Sequence, residues 1–304
     1  MSATAIEVSG LRKAYGETEV VRGIDLDVRA GEVFGFLGPN GAGKTTTIEI
    51  LEGYRERDAG EVSVLGVDPA RPTRAWRDRV GLVLQECELD PLLTVHETLS
   101  LYASFYGRPR PVDETAALVG LREERDVRVG RLSGGQRRRA DVAVALIGDP
   151  DLVFLDEPTT GFDPTARRGA WTMIDGLREL GKTVFLTTHY MDEAQHLADR
   201  VAILREGEIV ARGRPDELDP SGNGHTVVRF RLPAGVALED VRARAEGPVE
   251  LAGDVVSVRT EDAQRTLWRL TSWAQEAGVR LDALEARRRS LEDVFLELTG
   301  DGRE

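Results

Sequence analysis

One stretch, Gly38-Pro39-Asn40-Gly41-Ala42-Gly43-Lys44-Thr45, constrains the fold of this chain more than any other, because all eight positions satisfy G-x-x-x-x-G-K-[ST]. An apolar run, Val33 to Leu37, precedes it and a helical stretch, Thr45 to Leu51, follows, so the pattern predicts strand, loop and helix in that order. Residues without a Cβ reach φ > 0 and admit a ligand closely, so Gly38, Gly41 and Gly43 allow backbone N–H groups to converge on phosphate oxygens. The helix that follows points its positive end at the same anion. Lys44 is then expected to neutralise β- and γ-phosphates, the Thr45 hydroxyl to reach Mg²⁺, and Thr46 to lie beside it in the nucleotide site.

Farther along, Asp151-Leu152-Val153-Phe154-Leu155-Asp156-Glu157-Pro158 is a short apolar run ending in two carboxylates, the pattern of a parallel strand buried on both faces. Neighbouring strand residues face opposite ways, and Pro158 is expected to keep Glu157 extended, so the two acids should diverge. Asp156 is placed to hold Mg²⁺ or its water, and Glu157 to orient and deprotonate an attacking water. A third stretch, Leu132-Ser133-Gly134-Gly135-Gln136, predicts a second glycine-bordered helix tip. Ser133 is an N-cap, residues 136 to 147 supply the helix, and Gly148 with Pro150 ends it.

Together these residues resemble the ATP-binding subunits of ABC transporters, and within them the drug-resistance (daunorubicin-type) exporter ATPases. Leu132 to Gln136 is similar to the family's signature sequence. The resemblance implies an α/β P-loop cassette over residues 1–219: a mixed sheet core, an antiparallel β subdomain and a helical subdomain inserted at about 86–150. It also implies that Ser133, Gly134, Gly135 and Gln136 close over the γ-phosphate of ATP bound by a second copy. Tyr15 resembles the aromatic residue that stacks on adenine, and Gln85 the glutamine that senses Mg²⁺ and the attacking water. His189, ending the apolar run from Thr183, resembles the histidine that contacts the γ-phosphate. Asp163 resembles the aspartate of the loop crossing the dimer interface, with Phe162 where the family often has leucine; it is also a good N-cap ahead of Pro164.

No apolar run approaches the roughly 20 residues that span a bilayer, and no N-terminal segment reads as a secretion signal. A transporter ATPase of this kind therefore implies a separate multi-span permease and a peripheral position on the cytoplasmic face of the membrane. The lone cysteine, Cys87, leaves no internal disulfide or cysteine-cluster zinc site, and a net charge of −13 argues against a nucleic-acid surface. Arg137, Arg138 and Arg139 read as a solvated helical face with local partners.

Within the inserted region, Thr94 and Glu97 form a capping-box pattern, followed at helical spacing by Val95, Leu99, Tyr102 and Tyr106. This amphipathic face suits either the chain's own core or, by the resemblance, a groove over Leu89 to Tyr106 that receives a permease helix. A turn-rich linker, 220–224, introduces a small α+β domain, 225–304. There the pattern predicts strand 226–232, helix 238–244, a hairpin around Gly253, helix 262–277, strand 280–286 and helix 290–298. The expectation is an ATP-hydrolysing exporter subunit, a nucleotide-dependent homodimer, moving a drug, lipid or similar cargo. A soluble non-transport ABC-type ATPase is the rival reading, although such proteins generally carry paired cassettes, zinc modules or long coiled coils.

Overall fold

A computed structural model describes residues 3–83, 88–218, 226–288 and 291–299. Contacts divide the chain into two units, Met1–Pro215 and Asp216–Glu304, so the division falls just ahead of the predicted linker, which itself lies outside the described residues.

In chain order the first unit contains β1 (Thr4–Tyr15), β2 (Thr18–Arg29), β3 (Val33–Leu37), α1 (Lys44–Leu51), β4 (Ala59–Val64), α2 (Arg74–Arg77) and β5 (Val80–Val83). After the residues from 84 to 87 come α3 (Val95–Ala103), α4 (Val112–Leu118), α5 (Gly134–Leu146), β6 (Leu152–Asp156), α6 (Pro164–Glu179), β7 (Thr183–Thr188), α7 (Met191–Leu197), β8 (Arg200–Arg205) and β9 (Glu208–Gly213). Two sheets result. One is antiparallel, in the order β2-β1-β4; the other runs β5-β6-β7-β3-β8-β9, parallel except for the β9 edge.

Every residue of β3, β6 and β7 is buried, as continuous apolar runs in a covered parallel sheet require. Phe185 sits among Phe34, Phe36 and Phe154, with ring centroids 5.6 to 5.8 Å away, and so locks three adjacent strands in register. Strand order has a functional result: β3, β6 and β7 are neighbours, and their carboxyl ends carry the phosphate loop, Asp156–Glu157 and His189 to one edge of the sheet.

The insertion is helical, and α3 begins with the reciprocal bonds of a capping box between Thr94 and Glu97. Val95 and Leu99 are fully buried, with Tyr102 and Tyr106 packed against the same core, so this face belongs to the chain itself. Tyr106 rests on Gly148; a Cβ there would lie 2.3 Å from its ring, which fixes glycine at the end of α5. Among the described residues of this region, the large apolar side chains left exposed are Leu92, Leu101 and Phe105.

The second unit contains β10 (Thr226–Arg231), α8 (Leu238–Arg242), β11 (Val249–Ala252), β12 (Val255–Thr260), α9 (Ala263–Glu276), β13 (Glu285–Arg288) and α10 (Leu291–Thr299). These strands form an antiparallel sheet in the order β11-β12-β10-β13, packed through Val228, Phe230, Val256 and Val258 against Leu270 and Trp273 of α9. The last strand starts at Glu285 rather than Arg280, because Ala283 adopts a left-handed conformation, φ 54°, that ends extended pairing. The closing helix buries Leu291 and Val294, and Asp293 receives Arg287 in a bidentate pair at 2.7 and 2.8 Å plus Arg229 at 3.0 Å.

Candidate nucleotide site

At the carboxyl edge of the parallel sheet lies an open cavity of about 460 Å³. Asn40, Gly41 and Gly43 to Thr46 form one wall, and Glu157, Thr160 and His189 face them, with Val20 of β2 alongside. The expected loop residues and two expected acid–base side chains therefore meet in one space.

The loop earns its glycines individually. Gly43 has φ 104° and serves as the N-cap of α1, and any Cβ there would lie 2.7 Å from the Val20 carbonyl oxygen. Gly38 is different from the sequence expectation: no positive φ is involved, but a Cβ would lie 2.5 Å from the Leu204 carbonyl oxygen, so strand contact excludes a side chain. The loop curls around the buried Lys44 ammonium, which donates to the carbonyls of Gly38 at 2.8 Å and Pro39 at 3.2 Å. Burial pushes this ammonium below its ordinary pKa, opposed by the charges of Glu157 and Asp156. A cation held off from water at the wall of an open cavity is suited to phosphate.

Across the cavity, Glu157 Oε1 lies 3.8 Å from Lys44 Nζ and 3.3 Å from His189 Nδ1, although the latter approach lacks hydrogen-bond alignment. Its other oxygen accepts from the Thr160 hydroxyl at 3.0 Å. The expected extended backbone is not found: Glu157 has φ 45°. Its amide donates to both the carbonyl and the hydroxyl oxygen of Thr187, at 3.1 and 3.0 Å, which turns the chain at the strand end despite Pro158. The two acids still diverge. Glu157 lines the cavity, whereas Asp156 is buried beside it, accepting a hydrogen bond from the Thr187 hydroxyl, and burial raises its pKa.

Three of these residues were not legible from local sequence. Thr160 braces Glu157, Thr187 ties both acids together, and Arg138 donates to the Asp156 carbonyl at 2.9 Å. Arg138 is thus half-buried rather than solvated, while Arg139 reaches the Gly120 carbonyl at 3.2 Å and Arg137 is exposed. The available signal was a pair of threonines ending an otherwise apolar buried strand, where side chains face the site.

Other expected residues stand outside this cavity. Ser133 caps α5 in a full capping box with Gln136, which also donates to Glu124 at 2.9 Å, and Gly134 faces open space. Asp163 caps α6 by accepting from Thr165 and Ala166 at 2.8 Å each. Tyr15 is half exposed, with the Arg55 guanidinium 5.2 Å and the Lys13 ammonium 5.7 Å from its ring centroid. Ala42 is buried beneath the loop. Gln85 and Cys87 lie outside the described residues.

A glycine loop around a buried lysine, facing a carboxylate and a histidine at the edge of a parallel sheet, defines a P-loop nucleotide hydrolase. Comparison with known proteins narrows the class. The ABC transporter family profile matches residues 21–160, and the profile of the ABC transporter domain-containing protein-like C-terminal domain matches 226–290. The chain is 41% identical to the Nod factor export ATP-binding protein I of Paraburkholderia xenovorans (strain LB400), covering 99% of this chain and 98% of that one. The protein of the same name from Rhizobium etli (strain ATCC 51251 / DSM 11541 / JCM 21823 / NBRC 15573 / CFN 42) is 39% identical over 99% of this chain and 95% of its own length. Among solved structures, a dimeric post-hydrolysis state of an ATP-binding cassette bound to ADP and Pi is similar with a TM-score of 0.61 and 26% identity, covering 69% of this chain and 98% of that one. The ADP conformation of another ABC transporter cassette has a TM-score of 0.65 at 24% identity over 73% of this chain and 97% of its own, a likeness of fold alone. The chain belongs to the ATP-binding, ATP-hydrolysing subunits of ABC transporters.

Proposed function

We propose that this chain is the motor of an exporter, acting as a pair of identical copies that clasp ATP between them and drive a separate multi-span permease from the cytoplasmic face of the membrane. The observation that carries this reading is the division of the site. Lys44, Glu157 and His189 share one cavity, whereas the capped and exposed tip of α5 at Ser133–Gln136 stands outside it. A second copy is needed to bring such a tip to the phosphates, and the relative of known structure that is a dimer supports that arrangement.

In this reading Lys44 and the loop amides hold the β- and γ-phosphates, Tyr15 stacks on the adenine, and Thr46 contacts the phosphates beside Thr45. Glu157 holds the attacking water in line and takes its proton, and His189 donates to the γ-phosphate oxygen on which charge accumulates. Ser133, Gly134, Gly135 and Gln136 of the second copy cover the same phosphate, and Asp163 lines the seam. Thr45 on the cavity wall and the buried Asp156 carboxylate are hard oxygen donors of the kind Mg²⁺ takes, and in this reading they would hold it, with Gln85 as the third ligand that the resemblance implies. When bound, that ion supplies charge neutralisation between the phosphates. The described residues hold no cluster of three His, Cys, Asp or Glu that would build an all-protein metal cage, consistent with an ion carried largely by the nucleotide.

No helix among the described residues is long and apolar enough to cross a membrane. Leu92, Leu101 and Phe105 form exposed apolar surface on the insertion, suited to a permease helix. The relatives, each an export ATP-binding protein by name, support the outward direction, and our reading is a drug-resistance (daunorubicin-type) exporter of a drug, lipid or similar cargo. The test is purification of the tagged chain from the membranes of its own cell, with phosphate release measured on the purified material. Stimulated phosphate release and co-purification with a multi-span partner support an exporter, whereas full ATPase with no membrane partner supports the soluble alternative.

A further inference from the structure

We propose that Tyr190, held in place by Arg167, is a positioning residue that fixes the ring of His189 toward the γ-phosphate; the inference rests on the reading of His189 given above. The His189 and Tyr190 ring centroids are 4.0 Å apart, inclined at 40°. On Tyr190 sits the Arg167 guanidinium, 4.2 Å from the ring centroid, and Arg167 Nη1 in turn pairs with Asp192 Oδ2 at 3.2 Å. The order is Asp192, Arg167, Tyr190, His189, Glu157, running from the surface of α7 into the cavity.

The physical need is specific. A histidine ring rotates about a terminal torsion with a broad energy profile, so a strand-end histidine keeps one orientation only when its surroundings impose it. Near Glu157 the Nδ1 edge lies at 3.3 Å without an aligned hydrogen bond, so that contact alone does not set the ring plane. Tyr190 supplies a wall. It is itself restrained by its amide, which donates to the Thr188 hydroxyl at 2.9 Å, and by a cation over its ring.

Arg167 lies on α6, one turn beyond Asp163, the cap residue expected at the dimer seam. A displacement of that helix start therefore moves the guanidinium, and with it the wall against which His189 rests. The stack links arrival of the second copy to the orientation of the phosphate-sensing histidine, through contacts made within one chain.

The test uses the full chain and steady-state phosphate release. Tyr190→Leu is expected to lower kcat about tenfold with KM for ATP unchanged within about twofold, the signature of an interaction made in the transition state. Tyr190→Phe, which keeps the ring face, should restore the rate, and Arg167→Met should lower kcat about threefold, in line with the strength of a cation over an aromatic face. Binding of a fluorescent ATP analogue to a Glu157→Gln background should not change with Tyr190→Leu. The proposal is overturned if KM rises as far as kcat falls, if Phe is as slow as Leu, or if kcat is unmoved. Should the leucine variant fail to fold, Arg167→Met alone decides, and an unaltered kcat there overturns it. A His189→Ala control separates the claims: a wild-type rate removes the reading of His189 itself, and the positioning role with it.

Discussion

Replacing Glu52 by glutamine should make the protein's stability depend less on pH, and the size of the effect follows from where that side chain lies. Glu52 caps the carboxyl end of α1, only 6% exposed, and its Oε1 has no hydrogen-bond partner among the described residues. Burial, reinforced by the charges of Asp156 and Glu49, pushes its carboxyl from 4.5 up to about 8. The sign is that of an acid whose folded pKa is raised. Below pH 4.5 both states are protonated; between 4.5 and about 8 the unfolded chain releases a proton that the folded one keeps, so stability falls as pH rises, and above 8 it levels off. At about 1.4 kcal/mol per pH unit, that interval amounts to a ceiling of ~5 kcal/mol. Glutamine is nearly isosteric and never ionises. Guanidinium denaturation of wild type and Glu52→Gln at pH 5, 6.5, 8 and 9 should therefore show the variant gaining on wild type by several kcal/mol up to pH 8, then running parallel. A difference constant across that range, or one that shrinks as pH rises, would refute the argument; a fixed offset from the new amide would not.

Thr187→Val keeps the shape of the strand but deletes the hydroxyl shared by Asp156 and the Glu157 amide, so it should cost about 1–3 kcal/mol in stability and slow hydrolysis at least tenfold, with Thr187→Ser restoring both. An undiminished rate in the valine variant would show that the turn at Glu157 holds without it. Arg138→Met removes the donor to the Asp156 carbonyl and should weaken Mg²⁺-dependent nucleotide binding, read by titrating Mg²⁺ against a fluorescent ATP analogue. Phe105→Asp with Leu101→Asp adds charge to exposed apolar surface and should abolish transport while basal ATPase stays within about twofold, since neither side chain is packed in the core. Equal loss of both activities would place that surface in folding rather than coupling.

Much of this architecture is written locally. The phosphate loop, the apolar strand before Asp156 and the Ser133 and Thr94 caps each depend on residues a few positions apart, and the structure forms them where the pattern predicts. What could not be read depends on strands brought together from afar. Glu157 looks extended beside Pro158 until Thr187, thirty residues on, takes its amide and turns it left-handed. Arg138 looks solvated within an arginine run until α5 is laid against the end of β6. The periodic face of α3 was legible as amphipathic, but its direction was not: Val95 and Leu99 turn inward, leaving Leu101 and Phe105 outside.

The claim on which the rest depends is that two copies share each nucleotide. Glu157→Gln protein should be run with saturating Mg-ATP in sedimentation velocity, alongside the same variant carrying Ser133→Arg. We expect a dimer in the first case and a monomer in the second, because the arginine fills the open helix tip that must meet the partner's phosphates. A monomer in both, with ATP demonstrably bound, would contradict the shared site.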